Sequence, residues 1–176
     1  MRKQTAFVLI DIQGRLLPHI YNHKEVVANA NKLIKGAEIL GVDLLVTEQY
    51  PKGLGHTDEQ IVLPEGGDIT EKMCFSCVQS HEFMHKIEVH GITTLVLFGI
   101  EAHICVFKTA IEALAKGFEV HVVADAIGSR TVSNHRLAVA RMRQSGVYVV
   151  STEMILFQLM DEAGTDTFKA ISRLIK

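Results

Sequence analysis

Short apolar runs alternate with helical patterns along this chain of 176 residues, and that alternation is the strongest constraint on its fold. Continuous apolar runs such as 6–10 and 95–98 are typical of strands that are buried on both faces. Between such runs, apolar residues recur every three or four positions, as in 24–40 and 103–116, and a glycine then ends the pattern. Strands that alternate with helices predict βαβ units with right-handed crossovers. We therefore expect a three-layer, doubly wound α/β fold of the Rossmann-like type, with a mostly parallel six-stranded sheet and helices on both faces.

The composition bounds the function classes that this fold could serve. Residues 1–176 form a chain of single-domain length, 48% apolar and 22% charged, which is typical of a globular protein. A formal net charge of −2 argues against nucleic acid and anionic membranes as partners, and we find no apolar segment long enough to span a bilayer. Three cysteines, an odd number, argue against a disulfide framework and predict a cytoplasmic location.

Three residues with chemical potential follow predicted strands. Asp11 ends the first strand, Lys72 ends a weak strand near Ile69, and Cys105 comes six residues after Gly99. In open α/β sheets, ligands bind beyond the carboxyl ends of the strands, so we expect these three side chains to converge there. Neither Gly-x-Gly-x-x-Gly nor Gly-x-x-x-x-Gly-Lys occurs in the chain. The sequence therefore predicts no nucleotide cofactor.

The position of Cys105 suggests a nucleophile. In the first turn of a helix, free backbone N–H groups and the macrodipole favour a thiolate, and the same N–H groups can donate to an oxyanion. Asp11 could accept the thiol proton, and Lys72 could hold the resulting charges together. Each residue also has a structural interpretation: a buried small hydrophobe, a helix cap and a solvated lysine. The residues by themselves leave both interpretations open.

Six segments in matching order resemble the isochorismatase-like cysteine hydrolases. Within that superfamily, the resemblance is strongest to the isochorismatase-domain-containing branch, and it runs from about Thr5 to Met160. The segments are AFVLIDIQ, VTEQYPKGLGHT, EKMCFSC, FGIEAHICV, VADAIGSR and RMRQSGVYVVSTEMILFQL.

The resemblance implies a catalytic triad, in which Asp11 is the general base, Lys72 the charge-stabilising lysine and Cys105 the nucleophile. It also implies a cis peptide between Ile100 and Glu101, with the backbone N–H groups of Glu101 and Cys105 forming an oxyanion hole. Members of the family commonly self-associate. A homo-oligomer, a dimer or larger, is therefore expected.

Two departures from the superfamily bear on the substrate. Nicotinamidases of this superfamily carry an Asp-x-His metal motif after the second strand, whereas this chain has Glu-Gln-Tyr-Pro at 48–51, so we expect no bound metal. Members that cleave isochorismate lack the cysteine, and its presence here favours a small carbonyl substrate such as an amide, cleaved through a thioester without any cofactor. Gln13, Tyr50 and Phe75 are candidates for the substrate pocket.

Two alternatives belong to other classes. The chain could be a non-catalytic binding or scaffold protein that retains the pocket. The other alternative is a zinc or redox role for Cys74 and Cys77, which form a C-x-x-C motif that is followed by His81 and His85. The spacer from Cys77 to His81 is much shorter than zinc modules use, and the nearby Lys72 would repel a cation.

Overall fold

A computed structural model describes residues 2–176, and a single six-stranded sheet forms its centre. The strands are β1 (Thr5–Ile10), β2 (Asp43–Gln49), β3 (Ile69–Lys72), β4 (Thr94–Ile100), β5 (Glu119–Gly128) and β6 (Tyr148–Val150). Their spatial order is β3-β2-β1-β4-β5-β6, and every neighbouring pair is parallel. The doubly wound parallel sheet expected from the sequence is confirmed.

Helices cover both faces of the sheet. They are α1 (His23–Leu40), α2 (Pro51–Leu54), α3 (His81–Val89), α4 (Phe107–Ala115), α5 (Val132–Gln144), α6 (Thr152–Gln158) and α7 (Asp166–Leu174). Apolar residues of α1, α6 and α7 pack on one face, and those of α3, α4 and α5 pack on the other. The short helix α2 lies in the long loop after β2. Within residues 2–176, none of these helices is long and apolar enough to cross a membrane.

The central strands explain the continuous apolar runs. Every residue of β1 and of β4 is buried. Phe7 and Leu9 of β1 belong to the core beneath α1, whereas Ala6, Val8 and Ile10 belong to the core beneath α4. Because successive side chains of a strand point to opposite faces, a strand between two helical layers needs apolar residues at every position.

Helix ends follow local chemistry. The side-chain oxygens of four N-cap residues each accept a hydrogen bond from the backbone N–H three positions later, and these residues are Ser80, Thr131, Ser151 and Thr165. Such caps satisfy N–H groups that the helix leaves unpaired. Gly41 ends α1 with a φ of 64°, a left-handed conformation that glycine adopts without steric cost.

Two elements differ from the sequence-based expectation. The apolar pattern FEVHVVAD predicts a strand that ends at Asp125, but β5 continues to Gly128. The helical segment that contains Cys105 begins with a π turn at Ala102–Val106 before α4 starts at Phe107. A π turn widens the helix by one residue per turn, a feature that apolar periodicity does not reveal.

The strand order reverses between β1 and β4, and this switch point positions the site. Ile10 and Gly99 are register partners, so the residues that follow them leave the sheet side by side. Gly99 has a φ of +123°, and a Cβ on it would overlap the carbonyl of Ile10. Glycine at this position therefore lets the two strand ends approach closely. Ligand sites of doubly wound sheets lie at this kind of crevice.

Candidate active site

A buried ion pair forms the centre of the site. Lys72 Nζ donates to Asp11 Oδ2 at 2.7 Å, and both side chains are 0% exposed. The ammonium has three further acceptors, namely Gln49 Oε1 at 3.0 Å and the carbonyls of Phe75 at 3.2 Å and Cys74 at 3.3 Å. The carboxylate and these three oxygens replace the water that the lysine loses on burial.

Asp11 is fixed by its backbone as well as by its side chain. Its φ is 51°, which is uncommon for a residue with a Cβ. Its N–H donates to the carbonyl of Thr47 at 3.2 Å, and the Thr47 hydroxyl donates to Oδ1 at 2.7 Å. Both carboxylate oxygens therefore have a donor, and each keeps a lone pair that can accept a further proton.

Cys105 lies in the π turn and is 7% exposed. Burial raises the pKa of its thiol, and the negative charge of Asp11 raises it further. The positive charge of Lys72 lowers the pKa of Cys105, but not enough to reverse the direction. In the resting protein, the side chain of Cys105 is therefore a thiol beside a carboxylate. Its position at the start of a helix, taken alone, suggests a thiolate instead.

Lys72 keeps its charge in this environment. Burial by itself lowers the pKa of the ammonium, but attraction to Asp11, to Cys77 and to Cys105, together with the hydrogen bond to Asp11, raises it above the ordinary value. The lysine is therefore a cation throughout the neutral pH range, and Asp11 lies beside a full positive charge.

The turn before Cys105 has the backbone geometry that the resemblance implies. The peptide bond between Ile100 and Glu101 is cis. The carbonyl of Glu101 accepts hydrogen bonds from the N–H groups of Ile104 at 3.0 Å and of Val106 at 3.2 Å, and the Glu101 carboxylate accepts from Arg130 Nε at 2.9 Å. The N–H groups of Glu101 and Cys105 thus belong to one firmly held turn.

The three candidate pocket residues have different surroundings. Gln13 is 0% exposed, and its side chain donates to the carbonyls of Gln49 and Gly55 and accepts from the N–H of Gln49. It therefore holds the loop after β2, and its polar atoms already have partners. Tyr50 and Phe75 are 46% and 53% exposed and lie next to Gln49 and Lys72 at the carboxyl edge of the sheet.

A cavity of about 330 Å³ lies at the same edge of the sheet, lined by Leu16, His19, Ile20, Glu101 and Arg130. Because it includes Glu101, it adjoins the turn that leads to Cys105. A larger cavity of about 640 Å³ lies between α3 and α4 and contains none of the three candidate catalytic residues. Cavity size alone therefore does not locate the chemistry.

The residues after β2 do not form a metal-binding cluster. Glu48 accepts hydrogen bonds from the N–H of Thr57 at 2.6 Å, from its hydroxyl at 2.8 Å and from His56 Nδ1 at 3.0 Å. Within residues 2–176, no three His, Cys, Asp or Glu side chains meet as metal ligands would. Cys77 is fully buried, and Cys74 is half-buried.

Three further residues contact the site, and none of them was predicted from the sequence to act in the triad. Thr47 and Gln49 stand at the end of β2, where a parallel sheet collects polar groups, so their position is the signal that could have identified them. Cys77 was noted as part of C-x-x-C, but its contact with Thr47 joins residues 30 positions apart and has no local sequence signal.

The six-stranded parallel sheet with helices on both faces is the fold of isochorismatase-like α/β proteins, such as an isochorismatase from Pseudomonas putida that superposes with a TM-score of 0.78 at 20% identity and covers 86% of this chain and 90% of that one. Residues 5–154 match the isochorismatase domain family, and the chain therefore belongs to that family. It is 38% identical over 172 residues to isochorismatase domain-containing protein 1 of Salmo salar, a match that covers 98% of this chain. The chain spans 61% of the length of that relative.

Solved structures agree with this assignment. The MAR1 ribonuclease of Caenorhabditis elegans superposes with a TM-score of 0.92 at 32% identity, covering 99% of this chain and 90% of that one. YcaC of Escherichia coli, described as an octameric hydrolase of unknown specificity, superposes with a TM-score of 0.75 at 18% identity, covering 99% and 93%. At that identity, the likeness to YcaC concerns the fold alone.

Proposed function

We propose that this protein is a metal-free cysteine hydrolase that cleaves a small carbonyl compound, an amide, through a thioester acyl-enzyme. The observation that carries the proposal is the buried 2.7 Å contact of Lys72 with Asp11, whose negative charge acts on the Cys105 thiol. A thiol nucleophile needs a proton acceptor within hydrogen-bond reach, and the acceptor needs a partner that keeps it ionised.

The first half-reaction forms the acyl-enzyme. Asp11 takes the proton of the Cys105 thiol while the sulfur attacks the carbonyl carbon, and the carbonyl electrons move to oxygen. The N–H groups of Glu101 and Cys105 donate to this oxyanion. Asp11 then returns the proton to the leaving nitrogen, the C–N bond breaks and the amine departs, leaving a thioester on Cys105.

The second half-reaction returns the free enzyme. Asp11 accepts a proton from water, the hydroxide oxygen attacks the thioester carbon, and the proton passes to the cysteine sulfur as the C–S bond breaks. Lys72 stays charged throughout and stabilises the ionised form of Asp11. The raised pKa of Cys105 suits this scheme, because the thiol keeps its proton until a substrate is present.

Substitution of the nucleophile tests the proposal. Cys105→Ala and Cys105→Ser should lower turnover of a panel of small amides by at least about a thousandfold while the thermal unfolding curve stays within a few degrees. Cys74→Ser is the matched control, because Lys72 contacts Cys74 through a backbone carbonyl that the substitution keeps. Undiminished hydrolysis by either Cys105 variant would end the assignment.

Trapping of the intermediate identifies the substrate class. With Asp11→Asn, which cannot accept a proton, any acyl-enzyme that forms should persist, and intact-protein mass spectrometry would report the added acyl mass. RNA belongs in the same panel because one structural relative is named a ribonuclease. RNA cleavage that survives in Cys105→Ala would point to a function that does not use this thiol.

A non-catalytic scaffold remains the alternative, and it predicts three cysteines whose alkylation does not depend on Asp11. The proposal instead predicts that, of the three cysteines, Cys105 alone changes its reactivity in Asp11→Asn, because Asp11 raises the pKa of its thiol. We also propose that the protein acts as a homo-oligomer, a dimer or larger, which analytical ultracentrifugation of the full chain would measure. The expected location is cytoplasmic, and no nucleic-acid or membrane partner is proposed.

A further inference from the structure

Thr47 links the proposed base to the second buried cysteine. Its side chain is 0% exposed, and its hydroxyl donates to Asp11 Oδ1 at 2.7 Å. The same oxygen lies 3.8 Å from the sulfur of Cys77. The backbone N–H of Cys77 donates to Thr109 Oγ1 at 3.0 Å, which fixes the position of this sulfur.

The direction of this hydrogen-bond chain can be deduced. An ionised carboxylate can only accept, so the single hydroxyl proton of Thr47 is committed to Asp11. The contact between Thr47 and Cys77 must then use the thiol proton, with the Thr47 oxygen as acceptor. Burial raises the pKa of Cys77 to about 11 despite the nearby Lys72, so this thiol is protonated at neutral pH and is able to donate.

We propose that Thr47 is a positioning residue for Asp11 and that the Cys77 thiol orients the Thr47 hydroxyl. The proposal rests on the hydrolase function proposed above, and it assigns the C-x-x-C cysteine a hydrogen-bonding role. With Lys72 on Oδ2 and Thr47 on Oδ1, the carboxylate is held in one rotamer. The remaining lone pairs of the carboxylate are left for the Cys105 thiol, and the Thr47 donor favours the ionised carboxylate that accepts the proton.

The groups that could titrate around Asp11 are few. Lys72 approaches from β3, Cys77 from the turn after β3, and Cys105 from the π turn before α4. Lys72 and Cys77 have raised pKa values and keep their protons at neutral pH. The acid limb of a rate profile for Cys105, the pH range in which its alkylation accelerates, therefore reports on the Cys105 thiol and the Asp11 carboxylate beside it.

The test measures iodoacetamide alkylation of Cys105 against pH by peptide mass spectrometry, which needs no substrate. Thr47→Val keeps the shape of the side chain and removes the donor, so the acid limb should move up by about one pH unit. Thr47→Ser keeps the hydroxyl and should restore the wild-type limb. Thr94→Val, which alters a buried threonine at the opposite end of β4, should leave the limb unmoved.

Cys77 variants test the second link of the chain. Cys77→Ser keeps a donor and should match the wild type, whereas Cys77→Ala should move the limb upward by less than Thr47→Val does. If Thr47→Val does not fold, Thr47→Ala removes the same donor with less crowding. If folded Thr47→Val or Thr47→Ala has the same acid limb as the wild type, the proposal is overturned. If Cys77→Ala has the same acid limb as the wild type, the role proposed for Cys77 is overturned.

These outcomes are separate from failure of the hydrolase assignment. Amide hydrolysis that persists in Cys105→Ala removes the proposed function, whatever the alkylation profiles show. A limb that fails to move in Thr47→Val removes the positioning role while the hydrolase can still stand. The Asp11→Asn variant completes the comparison, because loss of the carboxylate removes a charge that raises the pKa of the Cys105 thiol, so its acid limb should move to lower pH.

Discussion

Lys72 and Asp11 carry full charges where water does not reach them. Each side chain is 0% exposed, so each loses its hydration on folding, and the 2.7 Å contact offsets that cost. The raised pKa of Lys72 means that the pair stabilises the folded state at neutral pH and that this stabilisation is lost only as alkaline pH passes the pKa of the folded state. The proposed chemistry requires this pair, and the charge of each partner offsets the desolvation cost of burying the other.

At this scale we predict a strong coupling between the two side chains. Lys72→Met leaves the Asp11 carboxylate buried without its cation and should lower the free energy of unfolding by about 3–5 kcal/mol. The double variant Asp11→Asn with Lys72→Met removes both charges and should lose clearly less than the sum of the single losses. Urea unfolding at pH 7 gives all three values, and additive losses would contradict the prediction.

The loop at 49–67 is the element that closes the carboxyl edge of the sheet beside the site. Glu48 holds it through Thr57 and His56, and Gln13 holds it through backbone groups of Gln49 and Gly55. These contacts explain how a long segment with little secondary structure keeps one conformation. The backbone at Tyr50 has a φ of 40°, an unusual geometry that persists because its neighbours are fixed.

We predict that the extent to which Glu48 stabilises this loop depends on pH. Burial alone raises the pKa of Glu48, but the N–H of Thr57, His56 and the Thr57 hydroxyl together lower it below the ordinary value. A lowered pKa stabilises the folded state above the pKa of the unfolded chain, and the benefit disappears as pH falls through the folded value. Glu48→Gln should therefore cost about 1–2 kcal/mol at pH 7 and progressively less below about pH 4.

Urea unfolding at several pH values measures this difference, and limited proteolysis reports the loop directly. Glu59→Gln is the matched control, since Glu59 lies exposed in the same loop. His56 strengthens the contact only while it is protonated, and its raised pKa extends that range upward. If Glu48→Gln lowers the free energy of unfolding by the same amount from pH 7 to pH 3, the prediction that the charge of Glu48 stabilises the loop is contradicted.

At the scale of the whole molecule, the three thiols lie at different depths below the surface. Cys77 lies in the core beneath α3 and α4, Cys105 lies at the edge of that core, and Cys74 is half-buried. The same sheet that places Cys105 beside Asp11 therefore removes Cys77 from solvent. Reagents can reach Cys77 only if this layer opens.

We predict that alkylation of Cys77 reports global unfolding. At pH 7, iodoacetamide should modify Cys74 first, whereas Cys77 should react only through the open state, at a rate reduced by the unfolding equilibrium. The free energy calculated from this rate should agree with urea unfolding within about 1 kcal/mol. In denaturant, all three cysteines should react at similar rates. Native Cys77 that reacts as fast as Cys74 would show that this core opens locally.

The sequence by itself determined the layers of the fold and the edge at which chemistry could occur. Apolar periodicity is a local property, and strands such as 6–10 and 95–98 have continuous apolar runs because both of their faces are buried. The parallel connections then place Asp11, Lys72 and Cys105 beyond strand ends that share one edge. The order of motifs along the chain was sufficient to identify the family.

Only the tertiary structure decided what those side chains experience. The protonated state of Cys105 depends on burial and on a carboxylate from another strand, and Gln13 is occupied by carbonyls more than 30 residues away. The contacts of Thr47 with Asp11 and with Cys77 join residues 36 and 30 positions apart. Periodicity carries no information about such contacts, because desolvation and charge pairing depend on distances that folding alone creates.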